Sequence, residues 1–312
     1  MSTTPYSSTV SIAALSNLLL PGYDKAVEFQ LREMPTFRSI VDRRPVAVDN
    51  PGTTVYFTWY QDLGTSTTPL VETQTPDPLT VANPTRTSVT VNEYGAWLPK
   101  TLALQTYAFT QVDWEIAELL ARHQADTIDA LVKAVMDSST NVFDNTTKNV
   151  AGTKSFSTQL VRQLRNTMRT NLVPFRDGAN YVAHVHPDVT FDIMNESGTN
   201  VWSTPHNYSG DVQALYAGEI GRYAAIRFVE NTRCTHTAAT SGVAGTYNTY
   251  LLGQQALVEA TAIEPQTVIG EVTDPLRRFA PVGWRGSLGW NLFRPQGLMV
   301  IKSQSSLAPA LP

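Results

Sequence analysis

The sequence predicts an α+β fold, and a few local patterns carry this prediction. Apolar side chains recur at helical spacing along residues 110–136, whereas residues 53–60 and 87–93 have strand composition. Shorter helix and strand patterns alternate beyond residue 157. With 312 residues, 42% of them hydrophobic, the chain can build a sizeable core, and intrinsic disorder of the whole chain is excluded.

The charge content is low for a soluble chain of this length. Lys and Arg number 23 against 27 Asp and Glu, which gives a net charge of −4, and only 16% of residues are charged, whereas soluble proteins carry about a quarter. This balance disfavours a protein that grips a polyanion through clustered basic residues, but it allows one that encloses nucleic acid. Surface that is neither charged nor buried is expected to contact other chains.

Compartment signals point to a protein made in the cytoplasm. Cys234 is the single cysteine, so no intrachain disulfide can form. No Lys or Arg precedes the apolar residues 12–20, which argues against a signal peptide. No apolar run reaches the roughly 20 residues that a membrane-spanning helix needs. We therefore expect no membrane association.

The N-terminal third of the chain predicts an arm followed by a long hairpin. Residues 2–23 carry no charge and indicate an extended arm lying on another surface, and residues 24–40 predict a short helical piece broken at Pro35. The strands 53–60 and 87–93 enclose an irregular segment rich in Pro and Thr. Because isolated hairpins are marginal in water, this one needs a partner surface. The alternative is two strands of an ordinary sheet joined by a long loop.

The rest of the chain predicts a long helix and an α+β body. The helix covers residues 110–136, and shorter helices are predicted at residues 157–172, from Pro187 onward, and at 211–217. Strands are predicted at residues 181–185, 224–229, 249–252, around 268, and at 298–302. Residues 218–221 predict a turn, and the nearly uncharged residues 235–249 predict an exposed loop.

The candidate chemistry is sparse. His184 and His186 lie at i and i+2 of a predicted strand, as a two-histidine metal site would need, with Asp188 as a third ligand; structural histidines are the default interpretation. Cys234 and His236 lack a third orienting group. No phosphate-binding glycine loop or nucleophile elbow occurs. We therefore assign no catalytic residue, metal or cofactor.

One basic pattern is notable. Arg162, Arg165 and Arg169 recur at helical spacing and form a single stripe. A stripe of this kind is either a solvated helix face or a contact patch for phosphates or an acidic neighbouring subunit.

Three segments and their order resemble a known family. VNEYGAW follows the hairpin, YVAHVHPDV makes a strand-to-Pro-helix turn, and YAGEIGRYAAIRFVEN leads into the next strand. Together with the arm, hairpin and long helix, they resemble a major capsid protein of tailed bacteriophages with the Hong-Kong-97-type fold. The resemblance extends from about residue 21 to residue 302.

The resemblance implies a domain plan. An N-terminal arm would cover residues 1–45 and a hairpin called the E-loop residues 46–100. A peripheral domain with a long spine helix would comprise residues 101–154 and 265–312, and an axial domain residues 155–264.

The resemblance also implies a function. The protein would be a non-enzymatic component of the virion capsid, made in the host cytoplasm. It would form pentamers and hexamers of an icosahedral head that encloses double-stranded DNA without sequence-specific binding. A portal and a separate scaffolding protein would be partners, with a cement protein as a further option.

Intersubunit contacts are expected from apolar residues of the arm and E-loop: Leu18, Leu19, Tyr56, Trp59, Leu70, Val89 and Tyr94. No lysine occurs between Lys25 and Lys100, so we expect no covalent crosslink through an E-loop lysine. Two rival interpretations stay open. A tail-tube or adhesin subunit would be β-dominated and would lack the long helix, and a metal-dependent hydrolase would use His184 and His186.

Overall fold

The computed structural model describes residues 35–45, 52–107, 112–197, 219–237, 245–270 and 278–307. The α-helices in this part are α1 (Leu102–Tyr107), α2 (Val112–Asp137), α3 (Asn145–Lys148), α4 (Thr158–Thr170) and α5 (Pro187–Asn195). The first strands are β1 (Asp42–Pro45), β2 (Thr54–Trp59), β3 (Thr85–Thr90), β4 (Asn92–Thr101), β5 (Val142–Asp144) and β6 (Tyr181–Val185). The later strands are β7 (Glu219–Tyr223), β8 (Ile226–Glu230), β9 (His236–Thr237), β10 (Thr246–Leu252), β11 (Leu257–Ile269), β12 (Phe279–Leu292) and β13 (Leu298–Gln304).

The described strands form two sheets and a separate hairpin, which confirms the predicted α+β class. The larger sheet has the order β5-β13-β10-β6-β8-β7, with β9 paired to β10, and the smaller sheet has the order β1-β11-β12-β4. Strands β2 and β3 pair only with each other, in antiparallel register from Thr54 opposite Thr90 to Trp59 opposite Thr85. The hairpin is therefore confirmed.

Helices α4 and α5 cover one face of the larger sheet. Their buried side chains form a single core cluster with the alternate residues Tyr181, Ala183 and Val185 of β6. The Ser157 hydroxyl accepts a hydrogen bond from the Leu160 amide and caps α4, and Pro187 provides the first residue of α5. Both helices begin where the sequence predicted.

Helix α2 lies against both sheets. It has 26 residues, which corresponds to a length of about 39 Å, and it confirms the predicted long helix. Its C-terminal half buries Val132 and Met136 in a cluster with Tyr250 of β10. Further toward its N-terminus, His123 Nδ1 accepts a hydrogen bond from Trp284 Nε1 of β12 at 3.1 Å. The helix thus connects the two sheets.

A short segment, residues 35–45, ties the two sheets together, and we call it the strap. The Phe37 amide donates to the buried Asp129 carboxylate of α2 at 2.7 Å, and Arg176 donates to the Ile40 carbonyl oxygen at 2.5 Å. Strand β1 at its end pairs in parallel with β11. Residues 37–40 form a 3-10 turn, so in this part the predicted helical piece is one turn only; residues 24–34 lie outside the described residues.

The strap is also held by a buried carboxylate. Glu259 is fully buried and accepts hydrogen bonds from Arg38 Nη2 and Trp290 Nε1, both at 2.8 Å, and from the Thr261 hydroxyl at 3.1 Å. Burial alone would raise the pKa of Glu259, but the hydrogen bonds from Arg38 and Trp290 outweigh burial and lower it. The carboxylate is therefore ionised and paired.

The base of the hairpin packs on the smaller sheet. Val89 is fully buried in a cluster with Val258, Ala260 and Phe293. A Cβ at Gly289 would collide with the carbonyl oxygen of Thr90, so only glycine lets β3 cross β12 this closely.

Several predictions in the C-terminal half are corrected. The predicted turn 218–221 is wrong over residues 219–221, because residues 219–223 form β7 and the turn follows at Ala224 and Ala225, which have φ of 50° and 60°. The predicted loop 235–249 is wrong over residues 236–237, which form β9, and over residues 246–248, which belong to β10 between β13 and β6; the strand predicted at 249–252 lies within β10. Strand β12 was missed, and the predicted helix 211–217 lies outside the described residues.

Candidate functional site

The connection between β2 and β3 projects away from the body of the subunit. Residues 60–83, which we call the hairpin tip, are all exposed and contain no regular secondary structure. Several large apolar side chains here are more than half exposed: Tyr60, Leu63, Leu70, Val71, Leu79 and Val81. Apolar exposure on this scale is typical of an interaction surface.

The predicted intersubunit residues fall into different environments. Tyr56 is 64% exposed and Leu70 is 78% exposed. Trp59 and Tyr94 are half-buried: Arg294 lies over the Trp59 ring at 5.4 Å, and the Tyr94 ring lies 5.9 Å from Trp290. Leu18 and Leu19 lie outside the described residues.

The position of Val89 contradicts the expectation that its side chain contacts a neighbouring subunit. Its side chain is fully buried in its own subunit, between the hairpin and the smaller sheet. The side chain is therefore not available to a neighbouring chain. Tyr94 lies in β4, which pairs with β12 and not with the other hairpin strand, so β3 ends sooner than the sequence predicted.

The basic stripe lies on the outer side of α4. Arg162, Arg165 and Arg169 are exposed, and in the described part of the chain none of them forms a salt bridge. The Arg169 guanidinium lies over the Phe175 ring, 4.8 Å from its centroid. Arg162 and Arg165 therefore present their charges to solvent.

His184 is buried without a hydrogen-bond partner. Its side chain is 2% exposed, and neither ring nitrogen has a hydrogen bond to a described residue. Its ring lies 5.7 Å from the Phe37 ring of the strap. Burial, reinforced by the charge of Arg176, lowers the pKa of His184 to about 4, so the ring is neutral at pH 7.

His186 has a structural role at the start of α5. Its Nδ1 accepts a hydrogen bond from the Asp188 amide at 3.2 Å, and its ring lies 5.1 Å from that of His236. Within the described residues, no group of three or more His, Cys, Asp or Glu is placed to hold a metal ion. In the same part of the chain, no helix is long and apolar enough to cross a membrane.

A cavity of about 290 Å³ lies between α2 and the segment before β9, lined by residues that include Lys133, Arg233, Cys234 and His236. The Arg233 guanidinium bonds Asp126 at 2.7 Å. Cys234 is 1% exposed, and His236 Nδ1 lies 3.4 Å from its carbonyl oxygen. A nucleophilic thiol needs a base at its sulfur, so the contact seen between these two residues is structural.

Most of the exposed tip residues, including Tyr60, Leu63 and Leu79, were not predicted as contact residues from the sequence. The available signal was their position: apolar side chains spread through a Pro-rich segment that has no strand or helix pattern cannot form a core of their own.

Comparison with known proteins gives the same assignment as the fold. A family model described as phage capsid protein matches residues 118–294. The solved capsid of Ralstonia phage GP4 is 12% identical with a TM-score of 0.72, covering 98% of this chain and 100% of that chain. The cyanophage Pam1 capsid is 13% identical with a TM-score of 0.70, covering 96% and 100%. The acid-stable capsid of Helicobacter pylori bacteriophage KHP30 is also 13% identical with a TM-score of 0.70, covering 97% and 100%.

The family model covers more than half of the chain, which therefore belongs to the phage capsid protein family. The structural neighbours establish the fold, and the interpretation as a tailed-phage major capsid protein of the Hong-Kong-97 type is confirmed. The protein is a structural component of the virion capsid that associates with itself, and it is not an enzyme. No curated protein sequence matches the chain.

Proposed function

We propose that this capsid protein assembles into the pentamers and hexamers of an icosahedral head that encloses double-stranded DNA. The hairpin tip carries the proposal, because its exposed apolar side chains project from the subunit and require a second surface. In the assembled shell that surface belongs to the neighbouring subunit, and Tyr56 and Leu70 contact it directly. Trp59 and Tyr94 contribute through their exposed edges.

The proposed domain plan divides the chain as the resemblance implies. The arm is residues 1–45, the E-loop 46–100, the peripheral domain 101–154 and 265–312, and the axial domain 155–264. The core of the larger sheet with α4 and α5 supports the axial domain, because most of its residues lie within 155–264. The position of α2 across both sheets supports its role as the spine helix. Leu18 and Leu19 are proposed arm contacts.

Enclosure of DNA without tight binding fits the charge of the chain. A net charge of −4 provides little general attraction for phosphates, and a weakly interacting wall lets packed DNA enter and leave. Because no lysine occurs in the hairpin tip, non-covalent burial holds the shell together. A portal, a scaffolding protein and a cement protein are proposed partners by family resemblance, as is synthesis in the host cytoplasm.

Deletion of residues 65–84 tests the proposal. The expressed wild-type chain should form closed shells or capsomers in negative-stain images, whereas the deletion variant should remain unassembled. Circular dichroism and urea unfolding of the variant should match the wild-type subunit, because these residues contribute nothing to its core. Shells of normal yield and stability from the deletion variant would contradict the assignment of the tip.

A further inference from the structure

Two arginines at the base of the hairpin are half-buried without a carboxylate beside them. Arg44 lies in β1 at the end of the strap, and Arg294 follows β12. Both side chains are half-buried, and in the described part of the chain neither forms a salt bridge. A charged group that is partly removed from water usually has a partner of opposite charge. The described residues do not supply that partner here.

Aromatic rings hold both guanidinium groups in place. The Arg44 guanidinium lies between the rings of Phe57 and Phe293, 5.3 Å and 4.7 Å from their centroids. The Arg294 guanidinium lies over the Trp59 ring at 5.4 Å. Phe57 and Trp59 are alternate residues of β2, so they lie on the same face of the strand and their rings are neighbours. We call the two arginines and these three rings the arginine site.

Two donors of the arginine site also lack an acceptor. Trp59 Nε1 and Arg294 Nε are buried and have no hydrogen-bond partner among the described residues. Nitrogens of tryptophan and arginine side chains donate and do not accept, so these two side chains cannot satisfy each other. Buried donors in native proteins are normally satisfied, by water or an ion where the chain offers no acceptor. A guanidinium stacked through its face also keeps the N–H groups along its edge for an acceptor.

The carboxylates around the arginine site are engaged elsewhere or are exposed. Asp42 of β1 interacts electrostatically with Arg176. Glu259 of β11 is paired with Arg38. Asp62, at the start of the hairpin tip, is exposed. None of these three carboxylates forms a salt bridge with either arginine of the site. The described residues therefore leave two positive charges and two buried donors together without an acceptor.

We propose that the arginine site binds a phosphate group. Phosphate carries several acceptor oxygens and more than one negative charge, so it matches two guanidinium groups, whereas a single carboxylate neutralises only one of them. Free phosphate and the backbone of enclosed DNA are the two sources of this group.

A bound phosphate connects three parts of the subunit. Arg44 belongs to the strap, Trp59 to the hairpin, and Arg294 to the connection between β12 and β13. A ligand held by all three fixes the base of the hairpin on the smaller sheet. This inference goes beyond the proposed function and does not depend on it, because binding is measured on the unassembled subunit.

Titration of the unassembled subunit with inorganic phosphate tests the site. Isothermal titration calorimetry at constant ionic strength should show saturable binding to the wild type. Arg44→Gln and Arg294→Gln should each weaken this binding by about tenfold or more, because each removes a charge-assisted donor. The matched control Arg86→Gln removes the same charge from the exposed outer face of the hairpin and should keep the wild-type affinity. Circular dichroism should show that every variant is folded.

Two further ligands and one conservative variant sharpen the result. Trp59→Phe keeps a ring under Arg294 and removes only the Nε1 donor, so it should weaken phosphate binding by about three- to tenfold. A short DNA duplex that displaces phosphate from the wild type identifies the DNA backbone as the source, and a duplex that leaves phosphate bound identifies free phosphate; both results support the proposal. Acetate that binds as tightly as phosphate would assign the site to a protein carboxylate and overturn it.

Hydrogen exchange of the wild-type subunit gives a measurement that needs no variant to fold. Saturating phosphate should slow the exchange of backbone amides in β2 and β3, because the ligand fixes the base of the hairpin, and it should leave the amides of β6 unchanged. No saturable phosphate binding, equal affinity of Arg294→Gln and Arg86→Gln, or unchanged exchange in β2 and β3 would overturn the proposal. None of these results would affect the proposed function, which concerns shell assembly.

Discussion

Apolar side chains are buried in the layer of α4 and α5 but exposed in the hairpin tip. In the helical layer, Leu160, Leu164 and Met168 are at most 1% exposed, and they pack on alternate residues of β6. In the tip, Leu70 is 78% exposed and Leu79 is 65% exposed, although leucine side chains are equally apolar in both regions. The helical layer completes its core inside one subunit, whereas the tip needs a second subunit to bury the same kind of side chain.

The ionised groups differ in the same way. Around the strap, Glu259 of β11 is fully buried and paired with Arg38, and Asp129 of α2 accepts a hydrogen bond from the Phe37 amide. In the tip, Glu72 and Asp77 have no salt-bridge partner in the described part of the chain. Substitutions within the body should therefore change the stability of the isolated subunit, and substitutions in the tip should change only assembly.

The largest expected effect within the body is at Glu259. Its replacement by alanine leaves Arg38 without its main partner and Trp290 without an acceptor, so Glu259→Ala should lower the free energy of unfolding by about 3–5 kcal/mol. Urea unfolding of the unassembled subunit measures this loss. Glu264 bonds the same Arg38 at 3.1 Å but is 63% exposed, so the control Glu264→Ala should cost less than about 1 kcal/mol. Equal losses for the two variants would show that the buried carboxylate does not hold the strap.

His184 should make the body sensitive to acid. The pKa of His184 falls from an ordinary 6.5 to about 4 on folding, so below pH 6.5 the unfolded chain takes up a proton that the folded chain refuses. This group should therefore lower the free energy of unfolding by about 3 kcal/mol as the pH drops from 6.5 to 4. Below pH 4 it should cause no further loss. Two groups near the His184 ring offer no acceptor for an added proton. Arg176 is itself positively charged, and the Tyr250 hydroxyl donates its hydrogen bond to Asp137.

Replacement by leucine isolates this contribution. His184→Leu removes the titrating ring and fills a similar space between the strap and the larger sheet, so the wild type minus variant difference in unfolding free energy should change between pH 7 and pH 4. As the pH falls, the unfolding free energy of the wild type should decrease relative to that of the variant. A difference that is constant over this range would mean that His184 is not neutral and buried.

Glycine substitutions compare the base of the hairpin with its tip. A Cβ at Gly289 meets the backbone of Thr90 and the side chain of Val89, whereas a Cβ at Gly64 meets nothing within 4 Å. Gly289→Ala should therefore cost about 1–3 kcal/mol by forcing β3 away from β12. Gly64→Ala should change stability by less than about 0.5 kcal/mol. Thermal unfolding of the two variant subunits measures this difference in stability. Similar melting temperatures would contradict the close crossing of β3 and β12.

The sequence predicted the elements whose periodicity is uninterrupted. Helices α2 and α4 were predicted within two or three residues because their buried positions follow a single face, and strand β6 was predicted because it is a short run buried on both faces. Strand β12 was not, since Pro281, Gly283, Gly286 and Gly289 resemble breakers. At Gly283 and Gly289 the close approach of Trp97 and Thr90 requires glycine, and that approach is a tertiary contact with no local signal.

The errors in the candidate surface have a related cause. Residues 246–248 were predicted to be an exposed loop because they lack charge, yet they lack it because β10 lies in the middle of the larger sheet. For Val89, strand alternation predicts which residues share a face but not which face is covered. Only the packing of β3 on β12 decides that Val89 points inward while Tyr56 points to solvent.

The smallest expected effect on the subunit is in the tip, and it separates folding from assembly most cleanly. Leu70→Ala with Leu79→Ala removes side chains that are already exposed, so the unfolding free energy of the isolated subunit should change by less than about 0.5 kcal/mol. In the shell the same side chains are buried against a neighbour, and every subunit loses the contact, so shells should dissociate at a lower urea concentration. Leu119→Ala, at a 49% exposed position on α2, is the control and should leave shells unchanged. A tip variant that destabilises the isolated subunit, or that leaves its shells as resistant to urea as wild type, would mean that the tip is completed within one chain.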